Sequence, residues 1–346
     1  PSMATYCPHC KARIESPPLY SYRRTIRSGS RYISPGYTPR PTVAGNVRLI
    51  HHMAVRRRNP IYRASPAVYE RLNPYVIAKS GRYLAYAIFA FVIGLLVVLV
   101  TLSAMGVASL FIPAFIAALV PIAVYLYWIK SNDRYEPEPT WLIALAFGWG
   151  AFSTLPAIIL NQLFAPLFGG WAGYAAFVEE PLKMLGVYFI ATSRWLSGEL
   201  NDHLDGLIYG VAAGLGFSLM ENILYIARGL AAGSILIVFI RMITAAMHMF
   251  CTGLVGWWMG YLKVNGLRVT LGKVVPALFY AMLIHMTWNT IGMLGILGFL
   301  LIPWGLALAY YTNKMAKEAL IDEYYWGFAT GYAPDERLIP QQYRYT

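Results

Sequence analysis

Tyr83–Ile129 reads YLAYAIFAFVIGLLVVLVTLSAMGVASLFIPAFIAALVPIAVYLYWI, and it contains no Asp, Glu, Lys or Arg. A helix that crosses a bilayer needs about 20 apolar residues, so this stretch holds two spans with a short turn near 105–107. Two further uncharged tracts follow, at 139–178 and 274–313. The chain has 346 residues, of which 58% are hydrophobic and 13% charged. A soluble domain carries roughly 25% charged residues, so the soluble classes are excluded. The fold expected is all-α: a polytopic membrane bundle of about eight helices, near 84–104, 108–129, 141–164, 171–193, 205–227, 234–262, 273–294 and 297–313.

Charge divides the chain. Residues 1–82 hold 15 of the 28 Lys+Arg, two acids (Glu15 and Glu70) and 10 of the 21 prolines. Without apolar periodicity, this segment reads as a basic, largely irregular arm. Residues 83–313 form the transmembrane domain. Residues 314–346 form a tail that begins with an amphipathic stretch suited to an interfacial helix. The charged loops near 130–139, 194–204 and 263–273 all fall on the side of the arm, which the positive-inside rule assigns to the cytoplasm. Both termini are then cytoplasmic. The arm, with Arg56-Arg57-Arg58, is expected on anionic lipid, and no nucleic-acid recognition fold is visible. Three cysteines build no disulfide framework. Cys7 and Cys10 form CPHC, half of a structural zinc site whose other half is missing.

The later spans carry what a membrane helix avoids: Glu179, Glu180, Lys183, Glu221, Asn222, Arg241, His248, His285 and Asn289. Each ionisable group at the bilayer centre costs about 2.5–3.5 kcal/mol on insertion scales. So many persist only if they face one another or water. Lys183 is four residues from Glu179 and three from Glu180, within reach of either on one helix. His285 and Asn289 share a face, and Arg241 lies one heptad before His248. Gly206, Gly210 and Gly214 recur at intervals of four, as do Gly256 and Gly260, the spacing that lets helix backbones approach closely.

Two schemes use these residue types. In one, a carboxylate shielded from water acts as general base on a water molecule, with His beside it and a His–Asn pair on the oxyanion. In the other, two His and one Glu hold a catalytic zinc and leave a position for water. A third use, in an ion-coupled transporter or a non-catalytic protein that escorts membrane segments, needs the same buried groups. A transporter should show matching halves, and spans one to three are almost purely apolar. No histidine is followed by Glu, so H-E-x-x-H is excluded. G-x-S-G and G-x-G-D are absent too.

The ordered motifs Asp133-Arg-Tyr-Glu-Pro-Glu-Pro139, Glu179-Glu180-x-x-Lys183, Asp205-Gly206, Phe217-x-x-x-Glu221-Asn222, His248 with Thr252, and His285-x-x-Trp288-Asn289 carry a likeness. Over roughly 120–312 the chain resembles the PrsW family of intramembrane proteases, relatives of the type II CAAX prenyl endopeptidases. The resemblance implies hydrolysis of peptide bonds in membrane proteins, often single-span regulatory ones. It points to Glu179, Glu180, Glu221, His248, His285 and Asn289 as catalytic, with Lys183, Asn222 and Asp205 in support. Where CAAX-type relatives carry His in F-x-x-x-H, this chain carries Glu221, which shifts weight toward a metal. Zinc on Glu180, His248 and His285 is the candidate set.

Overall fold

A computed structural model describes residues 5–6, 13–14, 74–133, 138–265 and 267–329. Among the described residues eight α-helices run in order: α1 Pro74–Ala104, α2 Phe111–Lys130, α3 Thr140–Phe164, α4 Ala175–Thr192, α5 His203–Ala231, α6 Leu236–Val264, α7 Leu271–Gly292 and α8 Leu301–Ala329. A two-residue antiparallel pair, β1 Thr5–Tyr6 with β2 Arg13–Ile14, brackets the CPHC stretch in the arm. Cys7 and Cys10 themselves lie outside the described residues, as do Arg56-Arg57-Arg58 and 330–346.

Seven of the eight helices are long and apolar enough to span a membrane by length and composition. The eighth, α4, holds Glu179, Glu180 and Lys183 within 18 residues. Its charges set it apart from the others, and half of α4, all three charged residues included, is buried within the bundle. The expected multi-span helical bundle is therefore present. Two boundaries differ from expectation. α1 starts at Pro74, inside the arm; proline at the first helical position gives up a backbone N–H that has no intrahelical partner there. The stretch from Lys314 is not a separate helix but the continuation of α8 through Ala329, because no Gly or Pro interrupts it before Gly327.

α5 is the axis of the bundle. Of its span window 89% is buried, against 22% for α1 and α2. It reaches that position because both of its faces are stripped to glycine and alanine. A Cβ on Gly206 would come 2.1 Å from the Gly256 carbonyl oxygen, and one on Gly256 would come 2.0 Å from that of Gly206. Further along, Gly210 meets the Thr252 carbonyl and Gly214 that of His248. On the opposite face Gly216 meets the Phe147 carbonyl of α3.

These contacts fix an antiparallel register: 206 lies against 256, 210 against 252 and 214 against 248. Moving seven residues on along α5 reaches Glu221, and moving seven back along α6 reaches Arg241. The glycine stripe thereby dictates which polar side chains meet near the far end of the pair.

Candidate active site

The register puts Arg241 Nη2 2.6 Å from Glu221 Oε2 and its Nε 2.7 Å from Asn222 Oδ1. Asn222 Nδ2 in turn donates to the Arg241 carbonyl at 3.2 Å. The guanidinium also lies 4.5 Å from the Tyr225 ring centroid. About two turns further along α6, His248 Nε2 reaches the same Glu221 oxygen at 2.8 Å. Asn222 therefore supports the cluster through Arg241, a partner that the heptad spacing hinted at but did not assign.

α4 completes the site. Adjacent helical residues point about 100° apart, so Glu179 and Glu180 address different neighbours. Glu180 is fully engaged. Its Oε1 accepts from Lys183 Nζ at 2.5 Å and from His285 Nδ1 at 2.7 Å, and its Oε2 accepts from Thr252 Oγ1 at 3.3 Å. Glu179 is not. Its Oε1 accepts from Asn161 Nδ2 of α3 at 3.0 Å, while its Oε2 is buried without a hydrogen-bond partner and lies 3.6 Å from His285 Nε2.

Hydrogen-bond logic assigns the protons. Lys183 is an ammonium with donors only, and its Nζ is 3.0 Å from His248 Nδ1. That nitrogen accepts, so Nε2 carries the proton facing Glu221. His285 uses Nδ1 as donor to Glu180, which leaves Nε2 as the acceptor turned toward Glu179. Phe217 explains its place in the motif: it is 1% exposed, the Lys183 ammonium lies 4.7 Å from its ring centroid, and its ring is 5.5 Å from that of His248. An aromatic face stabilises a cation held out of water.

Glu179, His248 and His285, all buried, offer ligand atoms within 4.8 Å of one another. The set differs from the expected one by a single residue: Glu179 takes the place of Glu180. The reason is occupancy of lone pairs, since Glu180 already binds Lys183, His285 and Thr252. The residues fit a divalent metal on three counts. Glu179 Oε2 is an orphaned buried oxygen, and burying such a group unpaired is costly. His285 is held through Nδ1 by a carboxylate, the arrangement that orients a ligating imidazole. Three carboxylates (Glu179, Glu180, Glu221) face two cations (Lys183, Arg241), leaving one formal negative charge for a cation to balance.

Two expected residues bond to partners outside the Glu–His cluster. Asn289 Nδ2 donates to the Ala172 carbonyl at 3.3 Å. It ties α7 to the segment before α4, where Trp171 Nε1 also donates to Thr290 Oγ1 at 2.9 Å. Asp205 closes the start of α5: its Oδ2 accepts from Asn201 and Asp202 backbone N–H at 2.8 and 3.1 Å, while Asp202 Oδ1 accepts from Leu204 and Asp205 N–H. This reciprocal capping box was legible as Asp-x-x-Asp before an apolar run. In the loop before α3, the described residues Asp133 and Glu138 join, the Glu138 N–H donating to Asp133 Oδ2 at 2.5 Å. Glu138 also accepts from the Tyr209 hydroxyl, so this loop anchors α3 to α5, outside the site.

Residues 138–313 match the family described as PrsW family intramembrane metalloprotease. The chain belongs to the PrsW family. Membership makes it a peptidase of a multi-pass membrane class. It is similar to proteins named Protease PrsW from three organisms. With that of Clostridioides difficile it is 36% identical over 118 residues, 32% of this chain and 50% of that protein. With that of Bacillus subtilis it is 26% identical over 180 residues, covering 47% and 78%. With that of Halalkalibacterium halodurans it is 28% identical over 215 residues, covering 59% and 95%. No solved structure is significantly similar to this chain. The match begins at Glu138, so the basic arm lies outside the PrsW segment.

Proposed function

We propose that this PrsW-family chain hydrolyses peptide bonds of membrane proteins, of which single-span regulatory proteins are the first class to test, at the Glu179–His248–His285 cluster. The observation that carries the reading is the buried, unpartnered Glu179 Oε2 converging with two histidines. Glu179, His248 and His285 would hold the metal that the family description implies. Zinc is the first candidate, because its catalytic sites take three such protein ligands. When bound, it would polarise a carbonyl and lower the pKa of water.

The chain's own groups then have distinct tasks. Glu180 fixes the His285 ring through Nδ1 and turns Nε2 toward Glu179. Lys183 neutralises Glu180 and holds His248 Nδ1. To offer Nε2 to a metal, His248 would pass its Nε2 proton to Glu221 Oε2, 2.8 Å away, and take one on Nδ1 from Lys183, 3.0 Å away. Glu221 has the most exposed carboxylate of the three, 18% against 7% for Glu179 and 0% for Glu180, so protons exchange with water at that edge. Asn289 serves by fixing the entry to α4 rather than by touching the reacting atoms.

Helix counting gives the depth. Glu179 lies four residues into α4 and His285 seven from the end of α7, about 6 and 10 Å along their axes at 1.5 Å per residue. Both measure from the membrane face opposite the charged loops. If the basic side is cytoplasmic, the scissile bond lies in the outer half of the bilayer.

The test compares neo-N-termini in host membranes carrying wild type or the Glu179→Gln, Glu180→Gln double variant at matched expression, with metal content measured on both proteins. Peptides that vanish in the variant identify the substrate and bond together. Cleavage that persists when both His248 and His285 are Ala would refute the assignment. An unchanged peptide set in the glutamate variant would return the cluster to a binding or transport role.

A further inference from the structure

A second site lies at the opposite end of the same helices. α4, the end of α6 and the start of α7 enclose a partly open cavity of about 370 Å³, walled by Tyr188, Thr192, Lys263, Arg268, Val269 and Thr270 among others. Thr192 is the last residue of α4, and the described residues 267–270 lead directly into α7. The cavity therefore opens at the level of the charged loops, where hydrocarbon gives way to water. Its walls carry two cations and three hydroxyls and no carboxylate.

One cation and the backbone that carries the other are held in place. Lys263 Nζ donates to the Ser197 carbonyl at 2.6 Å. Lys273 Nζ donates to the Arg268 carbonyl at 3.2 Å, and Trp258 Nε1 donates to the Lys273 carbonyl at 2.7 Å. These bonds brace the turn that carries Arg268, whose side chain is exposed. Toward the bilayer interior the outward faces of the two flanking helices turn apolar: Leu185 and Phe189 on α4, Leu271, Val275 and Phe279 on α7, all large and exposed. A cationic, hydroxyl-lined hollow above an apolar groove matches one ligand chemistry, an anionic phosphate head carrying acyl chains.

We propose that this cavity binds the phosphate head group of an anionic glycerophospholipid from the leaflet on the side of the basic arm, with its chains along the α4–α7 groove. The lipid would bridge α4, which carries Glu179 and Glu180, to the α6–α7 pair, which carries His248 and His285. The site stands whether or not the cluster hydrolyses peptides.

The test is native mass spectrometry of the full chain in detergent, titrated with phosphatidylglycerol or phosphatidylcholine. Wild type should retain phosphatidylglycerol in preference to phosphatidylcholine. Arg268→Gln should lower that occupancy about fivefold, the effect of one interfacial basic residue, and Arg268→Lys should keep it. The arm is present in every variant, so its own lipid binding cancels. Equal phosphatidylglycerol occupancy in wild type and Arg268→Gln overturns the proposal. So does displacement of the lipid by inorganic phosphate at equal concentration, which would mark a site for soluble anions.

Discussion

Replacing Lys183 with methionine tests whether the buried charges of α4 form one unit. The Lys183 and Glu180 side chains are both 0% exposed and 2.5 Å apart. Methionine keeps most of the side-chain volume and removes the charge. Glu180 would then keep two donors, His285 Nδ1 at 2.7 Å and Thr252 Oγ1 at 3.3 Å, and no formal positive partner. Removing one member of a buried pair costs about 3–5 kcal/mol, because the other is left charged and dry. Adding Glu180→Gln should recover part of that loss, so the double variant should cost less than the sum of the singles by about 1–3 kcal/mol. The assay is reversible unfolding in mixed micelles for wild type, both singles and the double. A Lys183→Met protein as stable as wild type, or strictly additive costs, would refute the coupling of these two groups.

Other variants separate position from chemistry. Asn161→Leu removes the donor to Glu179 Oε1. It should lower cleavage or metal retention by about 10–100-fold, as loss of a ligand's orienting partner does, with the fold kept by circular dichroism. Asn289→Ala should leave metal content unchanged and cost about 0.5–1.5 kcal/mol of stability, the worth of one hydrogen bond; loss of metal would place Asn289 in the cluster after all. Gly256→Ala forces a methyl against the Gly206 carbonyl and should destabilise by at least about 1–3 kcal/mol. Because that contact sets the α5–α6 register, cleavage should fall with it; unchanged unfolding and activity would disprove the register argument. Chelation of the purified protein should abolish cleavage and zinc should restore it, whereas chelator-resistant cleavage would favour carboxylate-activated water without metal.

Hydropathy by itself determined the class and the order of spans, because a bilayer demands long apolar helices and a sum over twenty residues detects them. The same sum placed a span at 171–193, yet the three charged residues of α4 hold it below the apolar standard that the other seven helices meet. The glycine spacing on α5 and α6 was readable as two smooth faces, and the buried polar residues that cluster in the structure, Asn161 apart, were already named from the sequence. What the sequence did not contain was partnership. Only the packed structure shows that Glu179 offers a free oxygen near both histidines while Glu180 is taken up by Lys183, His285 and Thr252, that Arg241 holds Glu221, and that Asn161 reaches in from α3. It also takes Asn289 out to the Ala172 carbonyl and Asp205 to a helix cap. The physical reason is that burial is a property of each helix, whereas a 2.5–3 Å contact between helices depends on their mutual register and rotation. Those were set here by glycine contacts between segments far apart in the chain, as 206 against 256 and 214 against 248.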